Sequence, residues 1–298
     1  MRIVTSIFCL PYEIDDLEIL LHQLRSSSHH LSEDVELVLD VTLCLSDIMV
    51  NWKKSSLPKE YFEEKLLKLS AHTDWCVKYF RTSTDILGEV SHRRENFETH
   101  YEDATHFIWL NTNVIFPEKT LFYLEQSLKQ ASEYTPYHIV TPEMVQMWDE
   151  SWSSVVNEKF KNKKLNYQSI CNPYVDNGIY GEVEIVEVKN TLPRQPRYKF
   201  LGGVFTCISK PLFKRVGIPE SFGHHGFDDT FLMWSSEKLT QTTDIEVQQF
   251  KMKNVVICEN YKYLNNAHYL NNMSVFDRRE QFQQISESNF SKELQNIK

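Results

Sequence analysis

The chain has 298 residues, a formal net charge of −9 and no unusual residue bias, which suits a soluble globular protein with a full hydrophobic core. An acidic balance opposes non-specific polyanion binding by the chain as a whole, although it leaves room for a local basic patch. No apolar run approaches the roughly 18 to 20 residues of a membrane span, and MRIVTSIFCL lacks a signal-peptide layout, so the expectation is a cytoplasmic protein.

The opening segment RIVTSIFCL reads as a strand. Pro11 punctuates its end, and the following stretch places Ile14, Leu17, Leu21 and Leu24 at helical spacing, with Glu13, Asp15 and Asp16 in the first turn, where the helix dipole favours acids. VELVLDVTLCL reads as a second strand ending near Asp40 or a few residues later. PKEYFEEKLLKL starts a helix at Pro58, with Phe62, Leu66 and Leu69 on one face.

HFIWLNTNVIFP, residues 106 to 117, is an apolar strand interrupted by Asn111, Thr112 and Asn113. The interruption is either turn chemistry before a helix at Pro117 or a ligand site at the strand's carboxyl end. A helix with Leu121, Leu124 and Leu128 on one face and a short strand YHIV come next. Strands alternating with helices over the first 140 residues predict a parallel α/β sheet with helices on its faces.

The second half is less regular. VEIVEV (183 to 188), VFTCIS and NVVIC read as short strands, and between them lie KFKNKK (159 to 164) and LPRQPRYKF (192 to 200). With no repeat, low-complexity tract or clear linker, one composite domain is expected over residues 1–275, its halves meeting near residue 140. The polar segment 276–298 reads as a C-terminal helical tail, peripheral or frayed. The six cysteines are scattered singly, as reduced core cysteines are.

Four stretches belong together: the N-T-N interruption, the double glycine of FLGGVFTCIS, the paired carboxylates of FGHHGFDDTFLMW, and NNAHYL near the end. In this order and strand context they resemble the GT-A type of nucleotide-sugar-dependent glycosyltransferase, family 2-like, over roughly residues 1 to 270. The resemblance implies a Rossmann-like, mixed and mostly parallel sheet with helices on both faces. It also implies that residues 1–140 bind the nucleotide-sugar and 141–275 the acceptor.

Residue by residue, the resemblance makes Pro11 and Tyr12 the opening donor loop and gives Asp40 to the nucleobase or ribose. Arg93, Arg94 and Asn96 of SHRREN precede the motif strand, and Gly202 and Gly203 form the double-glycine turn. Asp229 would be the general base, Asp228 would orient the acceptor, and His268 would be the late metal-binding histidine. Asn111 and Asn113 stand where the family has two aspartates. Amide oxygens are neutral, so any Mn²⁺ or Mg²⁺ held by Asn113 and His268 is expected to bind weakly.

The implied activity moves a sugar, hexosyl or pentosyl, from a nucleotide-sugar donor, with a UDP-sugar first among candidates, and inverts the anomeric centre. His224 and His225, and a four-spaced pair Trp148 and Trp152, are candidate acceptor contacts, although core packing is the default for such tryptophans. The acceptor is a glycan or, given KFKNKK with Arg194, Arg197 and Lys199, a hydroxylated base of phage-type modified DNA, flipped into a pocket that Phe222 would help to line. Simpler readings stand beside each motif: helix-start acids for the Asp pair, a turn for the glycines, a solvated face for the arginines. Two competing classes are a catalytically degenerate nucleotide- or carbohydrate-binding module and an α/β scaffold.

Overall fold

A computed structural model describes residues 1–145, 154–160, 185–188, 203–260 and 274–298, and everything below concerns those residues. Its strands are β1 (Arg2–Cys9), β2 (Glu36–Cys44), β3 (Val77–Ser83), β4 (His106–Leu110), β5 (Val114–Ile115), β6 (His138–Met144), β7 (Ile185–Glu187), β8 (Phe205–Ser209) and β9 (Gln248–Glu259). Its helices are α1 (Ile14–Ser28), α2 (Lys59–Ala71), α3 (Glu89–His100), α4 (Thr120–Tyr134), α5 (Lys210–Val216), α6 (Asp228–Thr242) and α7 (Ser274–Asn296).

The strands form one nine-stranded sheet in the order β3-β2-β1-β4-β8-β6-β9-β5, with β7 also paired to β9. β1, β2, β3 and β4 run parallel, β8 is antiparallel to β4 and β6, and β6 is parallel to β9. Every residue of β1 and β2 but the first is buried, as their near-continuous apolar runs require of strands covered on both faces. α1 packs on α2 and α4, while α3, α6 and α7 gather around the 220–222 turn, giving two helical layers. The fold is therefore the mixed, mostly parallel α/β sheet that the resemblance implies.

Leu17, Leu20, Leu21 and Leu24 of α1 are all buried, an i, i+3, i+4, i+7 stripe that seats the helix on the sheet. Beneath α3 and α5 the rings of Phe97, Phe107, Phe213 and Trp109 form a chain of contacts, with Phe97 4.2 Å from Phe213 and Phe213 5.8 Å from Trp109. Burying each ring is worth roughly 1.5–3 kcal/mol, and the cluster fixes β4 under the helices that carry the site. The five described cysteines are free and mostly buried, as expected.

Two features of topology decide where a ligand can sit. The order 3-2-1-4 reverses direction between β1 and β4, so their carboxyl ends part and leave a crevice. β8 then runs back beside β4 with Leu110 opposite Phe205, which sets Gly203 and Val204 next to the N-T-N segment. On the far side β5 pairs with the end of β9, Val114 opposite Glu259, and brings Glu259 and Asn260 to the same place.

Candidate functional site

A cleft of about 200 Å³ opens at the carboxyl ends of β1 and β4. Ser6, Tyr12, Glu13, Arg93, the whole of Asn111–Asn113, Asn260 and Arg279 are among its lining residues. The strand thus does stop on a cleft wall.

Arg93 organises this wall. Its Nη1 donates to Asp228 Oδ2 at 2.6 Å, and its Nη2 donates to the Gly203 carbonyl at 2.8 Å and to Asn111 Oδ1 at 3.3 Å. The guanidinium also lies over the Trp109 ring at 4.9 Å. Both partners of the ion pair are only 5% exposed, so the pair sits in low dielectric with its donors largely satisfied. Gly203 leaves room for this guanidinium: a Cβ at that position would come within 2.9 Å of Arg93 Nη1, so the arginine would have to shift. One side chain thereby joins three motifs that lie far apart in sequence.

Asp228 and Asp229 open α6 directly after Phe227, the one described non-glycine residue with positive φ, at 64°. A phenylalanine in the left-handed region is strained, and the strain turns the chain so that both carboxylates start the helix beside Arg93. Burial, and then the charge of Asp228, push the Asp229 carboxyl up to about 6, although the Thr230 N–H donates to its Oδ1 at 2.6 Å. A carboxylate tuned this way is suited to take a proton near neutral pH.

The opposite wall is acidic. Glu13 Oε2 accepts the Leu10 N–H at 2.8 Å, and Thr112 gives it a further hydrogen bond. Burial raises the Glu13 carboxyl, with Arg279, the Leu10 N–H and Thr112 acting against it. Glu89 is also desolvated, yet His225, 2.8 Å from its Oε1, and then Arg279 and Arg93 hold it well below the usual carboxylate range. Asn260 ties the wall together, donating its N–H to the Asn113 carbonyl at 2.7 Å and its side-chain amide to Asp16 Oδ1 at 2.8 Å.

Other expected site residues are placed differently. Asp40 is fully buried in β2, where its Oδ2 accepts from Asn96 Nδ2 at 3.1 Å and lies 3.0 Å from His100 Nε2; neither Asp40 nor Asn96 lines the cleft. Arg94 donates to the carbonyls of Pro219 and Gly223, so it shapes the turn leading to the histidines. Pro11 is buried in the short 3-10 turn that presents Tyr12 and Glu13. His224 lies 3.0 Å from Ser91 Oγ, and its carbonyl accepts the Val90 N–H. Phe222 is fully buried against Phe231 and Phe290, in the core and outside the cleft lining. Trp148, Trp152, Gly202, His268, Arg194, Arg197, Lys199 and the stretch 161–164 lie outside the described residues.

Among the described residues no three of His, Cys, Asp and Glu are placed to hold a metal ion. Asn111 Oδ1 already accepts from Arg93, while of the pair that the resemblance gives to Mn²⁺ or Mg²⁺, Asn113 lines the cleft and His268 lies outside the described residues.

Glu13, Asp16, Glu89, Glu259, Asn260 and Arg279 join the site although they do not stand out as site candidates in the sequence. Glu13 and Asp16 look like ordinary first-turn acids, and their separation of three, one helical turn, is the one signal that they share a face. Arg279 comes from the polar tail, which forms the docked helix α7.

No family model matches the chain, and no curated protein matches it. Solved structures do. The mannosyltransferase PcManGT from Pyrobaculum calidifontis, in complex with GDP-Man and Mn²⁺, is 12% identical with a TM-score of 0.47, over 97% of this chain and 69% of that one. S. aureus TarS 1-349 in complex with UDP is 12% identical with a TM-score of 0.45, over 98% and 72%. Against another S. aureus TarS structure the identity is 10% and the TM-score 0.45, and the chain spans only 38% of its length. At such identities and scores these likenesses decide nothing about the chemistry of the site.

Proposed function

We propose that the protein is a glycosyltransferase that moves a sugar from a nucleotide-sugar donor, a UDP-sugar in the first instance, to an acceptor hydroxyl with inversion. The observation that carries this reading is the Arg93 junction: one buried guanidinium links Asn111, the Gly203 carbonyl and Asp228, next to an Asp229 tuned to about 6. The donor's diphosphate lies against the Asn111–Asn113 segment. A neutral alcohol is a poor nucleophile, and Asp229 takes its proton as it attacks the anomeric carbon. Asp228, held by Arg93, fixes the helix start. Negative charge that builds on the departing diphosphate meets the positive side chains of the cleft, and no step is routed through a metal.

The acceptor is a glycan or a hydroxylated nucleobase. The two separate by salt: binding of a DNA acceptor falls steeply as salt rises, while binding of a neutral glycan does not. A second reading, a binding module that has lost catalysis, draws on the neutral Asn111 and Asn113 in place of carboxylates. Hydrolysis of UDP-sugars without acceptor tests the proposal. The wild-type protein should hydrolyse one slowly, and Asp229→Asn should lose roughly 10²- to 10⁴-fold of that rate while ligand-induced thermal stabilisation persists. Stabilisation without any turnover by the wild type would favour the binding module.

A further inference from the structure

The helix α7 looks peripheral in the sequence, yet it is bound into the site's scaffold. Ser286 is fully buried, its Oγ 2.7 Å from the Phe222 carbonyl and 2.6 Å from the His225 carbonyl. Asn289 donates to the Ser221 carbonyl, Ser221 donates to Glu293 at 2.6 Å, and Phe282 packs on His224 at 5.1 Å. Gln283 lies so close to Gly226 that a Cβ there would come within 3.0 Å of it. These contacts dock the middle and later turns of α7 on the 221–226 segment, and Arg279, one turn before Phe282 on the same helix, lines the cleft.

The two cleft arginines differ in what they have left to offer. Arg93 is committed to Asp228, Gly203 and Asn111. Among the described residues Arg279 makes one long ion pair, 3.8 Å to Glu13 Oε1, while its charge also acts on Glu89 and Tyr12 from farther off, and it is partly exposed. The carboxylates around it have other partners: Glu13 accepts the Leu10 N–H, and Glu89 lies 2.8 Å from His225 Nδ1. A guanidinium carries five N–H donors in a planar fork that matches phosphate oxygens. Around a cleft with several carboxylates, a cation with donors to spare is what an anionic ligand needs.

We propose that Arg279 is the residue that grips the diphosphate of the donor, and that α7 is a wall of the binding site. This rests on the glycosyltransferase reading above. Binding selectivity separates the two: uridine, UMP and UDP, together with guanosine and GDP, are titrated onto the full chain as wild type and as Arg279→Gln, Arg279→Lys and Arg278→Gln. Arg278 is exposed one position away, so its variant makes the same charge change outside the cleft. The expected result is a roughly 10- to 100-fold loss of diphosphate affinity in Arg279→Gln, with nucleoside affinity kept, partial recovery in Arg279→Lys and no change in Arg278→Gln. An equal loss of nucleoside and diphosphate binding would make Arg279 merely structural, and unchanged diphosphate affinity would place the phosphates elsewhere; either overturns the proposal. Wild-type protein that binds none of the five ligands overturns the glycosyltransferase reading and this inference with it.

Discussion

Asp229 shows how one residue's chemistry is set against stability. Its folded pKa, raised to about 6 by burial and by Asp228, means that the folded state favours the protonated form, and that stability is lost as pH rises through about 6. Near neutral pH the ionised carboxylate therefore weighs against folding, so Asp229→Asn should raise Tm by a few degrees even as it removes the base. The same tuning puts the acidic limb of the kcat/KM profile near pH 6, well above an ordinary aspartate; a limb below pH 4.5 would count against Asp229 as the base. Gly203 is equally constrained. Gly203→Ala pushes a methyl group into Arg93 and should lower activity with little change in core packing, measurable by comparing turnover with Tm.

The acidic pair, Gly203 and the asparagines stand out in sequence because their local chemistry is unusual, and Arg93 links Asp228, the Gly203 carbonyl and Asn111. The partners of Asp40 are not. Its burial against Asn96 and His100 depends on β2 passing under α3, and a lone aspartate near a strand's middle carries no sign of that.

At the scale of elements, legibility follows apolar periodicity. α1, α2 and α4 carry clean leucine stripes and lie close to where the pattern puts them, as do β1, β2 and β4. β3 is missing from the sequence reading because VKYFRTS is a half-exposed edge strand with polar residues on both faces. α3 escapes it too. This helix buries His92, Arg93, Asn96 and His100 and so inverts the usual binary pattern, because its inner face makes a polar network and part of the site. β9 reads as five residues and has twelve, since its first half, QQFKMK, mixes polar and apolar residues around a register shift against β6.

α3 is held to the histidine loop by Gly88, where a Cβ would lie 2.1 Å from the His224 carbonyl oxygen. Neither backbone can yield cheaply. Gly88→Ala should cost about 1–3 kcal/mol of stability and displace Arg93 with its helix, seen as a lower denaturation midpoint and lost activity together.

Across the whole molecule, acid sensitivity is built into buried imidazoles. His106 and His138 face each other at 3.1 Å between Nε2 atoms, and burial drives His106 down to about 3 and lowers His138 as well. His92 is buried to a pKa of about 4. Their depressed folded values mean that the unfolded chain binds protons which the folded chain refuses. Stability is full above the unfolded value of about 6.5 and falls as pH drops below it, by up to about 1.4 kcal/mol per pH unit for each histidine. Urea midpoints measured from pH 7.5 to 4.5 should decline, and His106→Gln should show a shallower slope whatever its absolute stability.

Molecular scale also explains what no sequence window displays: the cleft is lined by segments near residues 12, 90, 112, 260 and 279, and Arg93 ties its wall to Gly203 and Asp228, which lie outside the lining. Of these, Tyr12 and Arg279 lie farthest apart along the chain and yet line one cavity. A ligand that touches both would act as a clasp between the first and last helical layers of the domain. Occupancy of the cleft should then be felt as resistance of α7 to being peeled off and cut, so that a protease reports on a small molecule bound on the other side of the helix.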